Sequence, residues 1–187
     1  MLPLGHIFVI VFLGFVTGVL VVALGKDNFL LNDGILNSEF LMKMQDINVD
    51  KRSLFFLCLG ERLRAFILMV LLAYSTINVF YCNLYFALQG FYIGSVMELL
   101  AIRYGGYGMF LYLGMIFPHG IFYGLGFLCL GCWCLQLEKT SETGIRRKVE
   151  KLRDNSNRIK VWIALGFILV GVILESYVNL GIFCKIL

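Results

Sequence analysis

Charge is what this sequence has least of. Only 15% of its 187 residues are Asp, Glu, Lys or Arg, and 60% are hydrophobic; a soluble domain carries roughly 25% charged and 45–50% apolar residues. A water-facing surface cannot be built from so few charges, so the solvent for most of this chain is a lipid bilayer. Alternation of apolar and polar residues is also missing, which excludes a membrane β-barrel and leaves helices as the spanning element. Enzyme signatures are missing too. There is no G-x-S-x-G elbow, no Walker loop, no H-E-x-x-H and no pair of carboxylates on one helix, so no nucleophile or catalytic acid–base pair can be named and a non-enzymatic protein is expected. A basic, aromatic-interleaved stripe of the kind that grips nucleic acid is absent as well. No cofactor motif is present.

The few charges are segregated. Residues 26–64 hold six Lys/Arg and six Asp/Glu, and residues 138–160 hold eight Lys/Arg against four Asp/Glu; elsewhere stand only Glu98, Arg103, Glu175 and Lys185. These two polar segments cut one membrane domain, 1–187, into about five expected transmembrane helices. They lie at approximately 4–24, 65–82, 84–103, 107–137 and 161–183. The first run has little positive charge before it and reads as a retained span rather than a cleaved signal. Residues 33–49 have apolar positions at helical spacing, expected as an amphipathic helix at the interface, and Asp50 is a plausible N-cap for a helix beginning at Lys51. Arg62 and Arg64 would anchor the start of the second span, Asn83 would sit in a tight connection, and the glycines of "RYGGYG" make a turn.

The fourth span is overlong. Its 31 residues would reach ~46 Å as helix, against a hydrocarbon core of ~30 Å. Pro118 lacks an amide hydrogen and its ring clashes with the preceding turn, so this segment is either one kinked helix or a half-helix leading into a full span. The whole is an all-α integral membrane bundle with a kinked fourth helix. The excess of Lys/Arg in 138–160 places that loop and the N-terminus in the cytoplasm, and the 26–64 segment and the C-terminus outside.

Three small-residue faces, Gly14/Gly18, Gly90/Gly94 and Gly120/Gly124, each spaced i,i+4, are candidates for helix packing. Glu98, Arg103, Pro118, His119, Gly120 and Glu175 are the candidate polar and kink residues. Ionisable groups at membrane depth face the bundle interior, a cavity or a partner. They either serve a substrate or a proton, or satisfy one another and the kink, and the second reading is simpler. Cys129, Cys132 and Cys134 resemble half of a metal site, but no Cys/His pair follows at suitable spacing, so no metal is expected.

From about residue 50 to 178 the order of features resembles the stage II sporulation protein M family. The matching stretches are "SLFFLCLGERLRAFILMVLLA", "LQGFYIGSVMELLAIRYGGYGM", "FPHGIFYG" and "ILESYV". The resemblance implies a multi-span, non-enzymatic membrane protein that, in endospore formers, anchors a wall-remodelling complex containing a peptidoglycan hydrolase during engulfment. Other relatives stand beside transport or ATPase genes. The alternative is therefore a permease-like subunit of an ABC-type exporter, with the basic 138–160 loop contacting a cytoplasmic ATPase. Membrane lipid and other membrane proteins are the expected partners in either case.

Overall fold

The computed structural model describes residues 3–25, 51–73, 75, 77–138 and 155–179. The amphipathic segment 33–49, the Asp50 cap and most of the basic loop lie outside the described residues. Those described form helices with no strand among them: α1 (Pro3–Leu24), α2 (Lys51–Leu72), α3 (Asn78–Tyr104), α4 (Gly106–Ile116), α5 (His119–Glu138) and α6 (Asn155–Leu174), which ends in a π-helical turn, Glu175–Asn179. Among the described residues four stretches are long and apolar enough to cross a membrane, Leu4–Leu24, Asn78–Tyr104, His119–Leu137 and Arg158–Tyr177. α2 is as long as α1, at 22 residues, but carries Glu61, Arg62 and Arg64 at its centre.

Contacts fix the direction of each helix. Positions 14 and 18 of α1 lie against Ala87 and Phe91 of α3, and positions 90 and 94 of α3 lie against Val11 and Phe15. Numbers rise together on both sides, so α1 and α3 are parallel. Two parallel neighbours require the chain to return between them, and α2 is that return. It runs alongside α5, with Arg62 over Tyr123 and the Met69 carbonyl 4.0 Å from the Cys134 thiol. α5 in turn is antiparallel to α3, where Asn78 Nδ2 donates to the Cys134 carbonyl at 2.8 Å and Phe86 lies against Gly131. α6 closes the bundle antiparallel to α5, with Ala164 and Ile168 against Gly126 and Gly171 against the ring of Tyr123. Ile7, Met69, Cys82, Leu130, Trp133, Ile168 and Val172 fill the space between them.

Two expected boundaries shift. The second span is not 65–82 with a connection at Asn83: α2 has already ended at Leu72, and Asn83 lies inside α3. The break falls at residues 73–77 because Ser75 competes for the backbone. Its amide donates to the Leu72 carbonyl and its hydroxyl accepts the Ile77 amide at 3.3 Å, a local pairing that draws the chain out of helix. In consequence residues 51–64, expected in an external segment, belong to α2 and pack in the bundle. The overlong 107–137 segment takes the second of its two expected forms, a half-helix, α4, leading into a full span, α5, rather than one kinked helix. α4 folds back on α3 through Gly105, whose φ of 61° favours glycine, and then breaks at Phe117–Pro118 before α5 begins.

Candidate functional site

Arg62, Tyr123 and Glu175 meet where α2, α5 and the π-helical turn converge. Arg62 Nη2 lies 3.8 Å from Glu175 Oε1, and the Arg62 guanidinium sits 4.5 Å from the centre of the Tyr123 ring. The Tyr123 hydroxyl donates to Glu175 Oε2 at 2.5 Å. Each side chain therefore answers the other two: a cation over the negative face of a ring, an opposite charge, and a charge-assisted hydrogen bond in the short range for O–H to carboxylate. Tyr123 is only 7% exposed, while Arg62 and Glu175 side chains keep 33% and 23%.

Local sequence explains the convergence. Arg62 is on the inward stripe of α2 with Cys58, Phe66 and Met69, all buried. His119 and Tyr123 are four residues apart and share one face of α5, their rings edge to face at 5.7 Å. Gly171, one turn before Glu175, has no side chain, and a Cβ there would meet the Tyr123 ring at 2.7 Å. The ring can thus lie flat against α6 with its hydroxyl at the carboxylate. The π-helical turn begins at Glu175 itself, an irregularity found often at functional sites. The hydroxyl of Ser176 donates to the Val172 carbonyl at 2.5 Å, satisfying a side chain that is fully buried.

The residues singled out from sequence separate. His119 and Glu175 are brought together, with Tyr123 between them. His119 Nδ1 is buried and makes no hydrogen bond to the protein. Pro118 is at the α4–α5 junction. Glu98 is half-buried in α3 and Arg103 is exposed in its last turn, where a cation complements the helix dipole; neither joins the cluster. Gly14, Gly18, Gly90 and Gly94 face one another's helices, and a Cβ on any of them would meet a backbone carbonyl oxygen of the opposite helix. The third expected face does not pack this way. Gly124 is exposed with nothing within 4 Å, and Gly120 abuts only the Ile116 side chain. The close approaches of α5 are made instead by Gly126, on the opposite side of the helix from Gly124, and by Gly131, two turns beyond Gly124 on its own face.

Sequence reasoning missed Arg62 and Tyr123. The Asp50 cap already implies a helix with Arg62 at its middle, but a second span starting at 65 puts Arg62 at an interface instead. The i,i+4 relation to His119 would have brought in Tyr123. The cysteines do not converge: Cys129 Sγ points to the Lys160 carbonyl and Cys134 Sγ to that of Met69. Among the described residues no group of three His, Cys, Asp or Glu side chains is arranged to hold a metal ion.

The family model described as Stage II sporulation protein M matches residues 7–179. The chain belongs to the stage II sporulation protein M family. The match runs from the first turns of α1 to the last residue of the π-helical turn, so it takes in the parallel α1–α3 pair and all three members of the polar cluster. With its four membrane-length apolar helices, the chain is a membrane protein of that family. Comparison with curated proteins and with solved structures finds no match.

Proposed function

We propose that this protein is a non-enzymatic membrane scaffold that anchors a wall-remodelling complex, including a peptidoglycan hydrolase, during spore engulfment. The observation that carries this reading is the closed Arg62–Tyr123–Glu175 cluster. A carrier keeps its intramembrane charges available to cargo or protons; here the cation, the carboxylate and the hydroxyl are engaged with each other and tie three segments of the bundle into one arrangement. Membership of the family supports the same assignment. A permease-like subunit of an exporter is the competing reading, and its cytoplasmic contact would be the basic 138–160 loop.

Affinity purification from membranes of sporulating cells separates the two. A peptidoglycan hydrolase is expected to co-purify with the tagged protein. Recovery of a cytoplasmic ATPase in its place would assign the exporter role.

The scaffold is oriented with its N-terminus and the 138–160 loop in the cytoplasm, and with residues 26–50 and the C-terminus outside. The excess of Lys/Arg in the loop supports this, as do the directions of α1, α5 and α6, which bring Pro3, Glu138 and Asn155 to one end of the bundle. In a cysteine-free background, Asn37→Cys is expected to react with an impermeant thiol reagent on intact cells and Ser141→Cys to be protected. The reverse pattern would invert the topology.

A further inference from the structure

The outward face of α2 carries charge at membrane depth. Glu61 and Arg64 form an i,i+3 pair at 3.8 Å, with side chains 65% and 73% exposed. They flank Arg62, which is level with Tyr123 on α5. Tyr123 in turn lies inside the apolar stretch His119–Leu137, about 6 Å from its start. Ionisable side chains at such a depth face a cavity or another protein rather than hydrocarbon.

The residues around the pair have a regular pattern. Leu57, Gly60, Arg64, Ile67 and Leu71 are all exposed and follow one another by three, four, three and four residues, the spacing of a coiled-coil seam. A Cβ on Gly60 would have nothing within 4 Å, so a second backbone can come close at that point.

We infer that this face of α2 is the contact between two copies of the protein. Copies inserted with the same orientation are related by an axis along the membrane normal, so their α2 helices run parallel and equal residue numbers lie at equal depth. In a parallel seam the position held by Gly60 is bordered, on the facing helix, by the positions of Glu61 and Arg64. Each Arg64 then reaches the Glu61 of the other copy across the gap left by glycine. A second copy supplies both charges at the required depth and spacing. Residues 26–50 of the same chain also hold charges of both signs, but only a second copy brings them at equal depth by symmetry.

Disulfide trapping of the full chain in native membranes tests this, with single cysteines in a cysteine-free background. Leu57→Cys and Ile67→Cys are expected to give cross-linked dimers, and Trp162→Cys, exposed on α6, to give none. Adding Glu61→Arg or Arg64→Glu to the Leu57→Cys chain should each lower the dimer yield at least about tenfold, since like charges then meet across the seam. Co-expression of these two variants with different tags should restore a mixed dimer, because one brings two arginines and the other two glutamates. Absence of dimer at the seam, a cross-link from it to residues 26–50 or to another protein, or failure of the mixed pair overturns the inference. Should a charge variant not accumulate, photobleaching of the labelled wild-type protein in bilayer vesicles decides, two copies per particle upholding it and one refuting it.

Discussion

Gly90→Ala, the addition of one methyl group, is expected to separate α1 from α3 and destabilise the whole bundle. The new Cβ would overlap the carbonyl oxygen of Val11. That oxygen belongs to the backbone of a regular helix and cannot rotate aside as a side chain would. Relief requires α1 to move outward, and the reciprocal contacts at Gly14, Gly18 and Gly94 loosen with it. In lipid no hydrophobic drive brings the helices back, because hydrocarbon solvates their surfaces as well as they solvate each other. Overpacking of this kind costs about 1–3 kcal/mol, and each kcal/mol lowers Tm by ~2–4 °C in a chain of this size. Gly14→Ala should behave alike. Gly124→Ala and Gly166→Ala meet nothing within 4 Å and should leave Tm unchanged or slightly raised, since alanine is the better helix former. Thermal unfolding of the four purified variants checks this; equal Tm values for Gly90→Ala and Gly124→Ala would refute the close packing.

Breaking one side of the Arg62–Glu175 pair is expected to cost more than removing both. Arg62→Gln leaves the Glu175 carboxylate with the Tyr123 hydroxyl and the Cys58 thiol but without a counter-charge, and Glu175→Gln leaves a guanidinium over a ring with no counter-charge. Removing one member of a fully buried pair costs about 3–5 kcal/mol. Arg62 and Glu175 keep 33% and 23% exposure, so the pair is only partly enclosed by protein and about 1–3 kcal/mol is expected here. The double variant Arg62→Gln/Glu175→Gln has no orphaned charge, and its amides can hydrogen-bond in place of the ions. It should regain most of the loss, giving a coupling of about 1–2 kcal/mol in the cycle. Tyr123→Phe keeps the ring under the guanidinium but loses the hydroxyl donor, a change of about 1.5–3 kcal/mol for a hydrogen bond to a charged group. Glu98, which lies outside the cluster, should tolerate Glu98→Gln. Additive single effects, with no recovery in the double variant, would mean that the pair does not hold the bundle.

The all-helical membrane class could be read from composition, because a chain with so little charge has few ways to satisfy its backbone in lipid. The faces at Gly14/Gly18 and Gly90/Gly94 could be identified as candidates from spacing, but not that they face each other. A periodicity shows which side of a helix is small, and only the return of the chain through α2 makes α1 and α3 parallel neighbours. Gly120/Gly124 has the same spacing but meets no helix backbone, Gly120 touching only the Ile116 side chain at the end of α4; the close approaches to α5 come where Phe86 and Ile168 meet Gly131 and Gly126. The polar site was half visible. His119 and Glu175 stand out in apolar runs, whereas Arg62 is masked by neighbouring charges that mimic the edge of a span. Tyr123 is one tyrosine among nine. What selects it is the bare backbone at Gly171, 48 residues further on, which no local pattern reveals.

The central claim is that the Arg62–Glu175 pair holds a scaffold together and carries out no charge transfer itself. The most direct test compares hydrolase recovery from membranes of sporulating cells between the wild-type protein and the Arg62→Gln/Glu175→Gln variant, normalised to the amount of each in the membrane. The account predicts equal recovery and normal engulfment by both, with Glu175→Gln alone failing through loss of protein. A double variant that reaches wild-type level and thermal stability, yet recovers no hydrolase and does not support engulfment, would contradict it and place the function in the charges themselves.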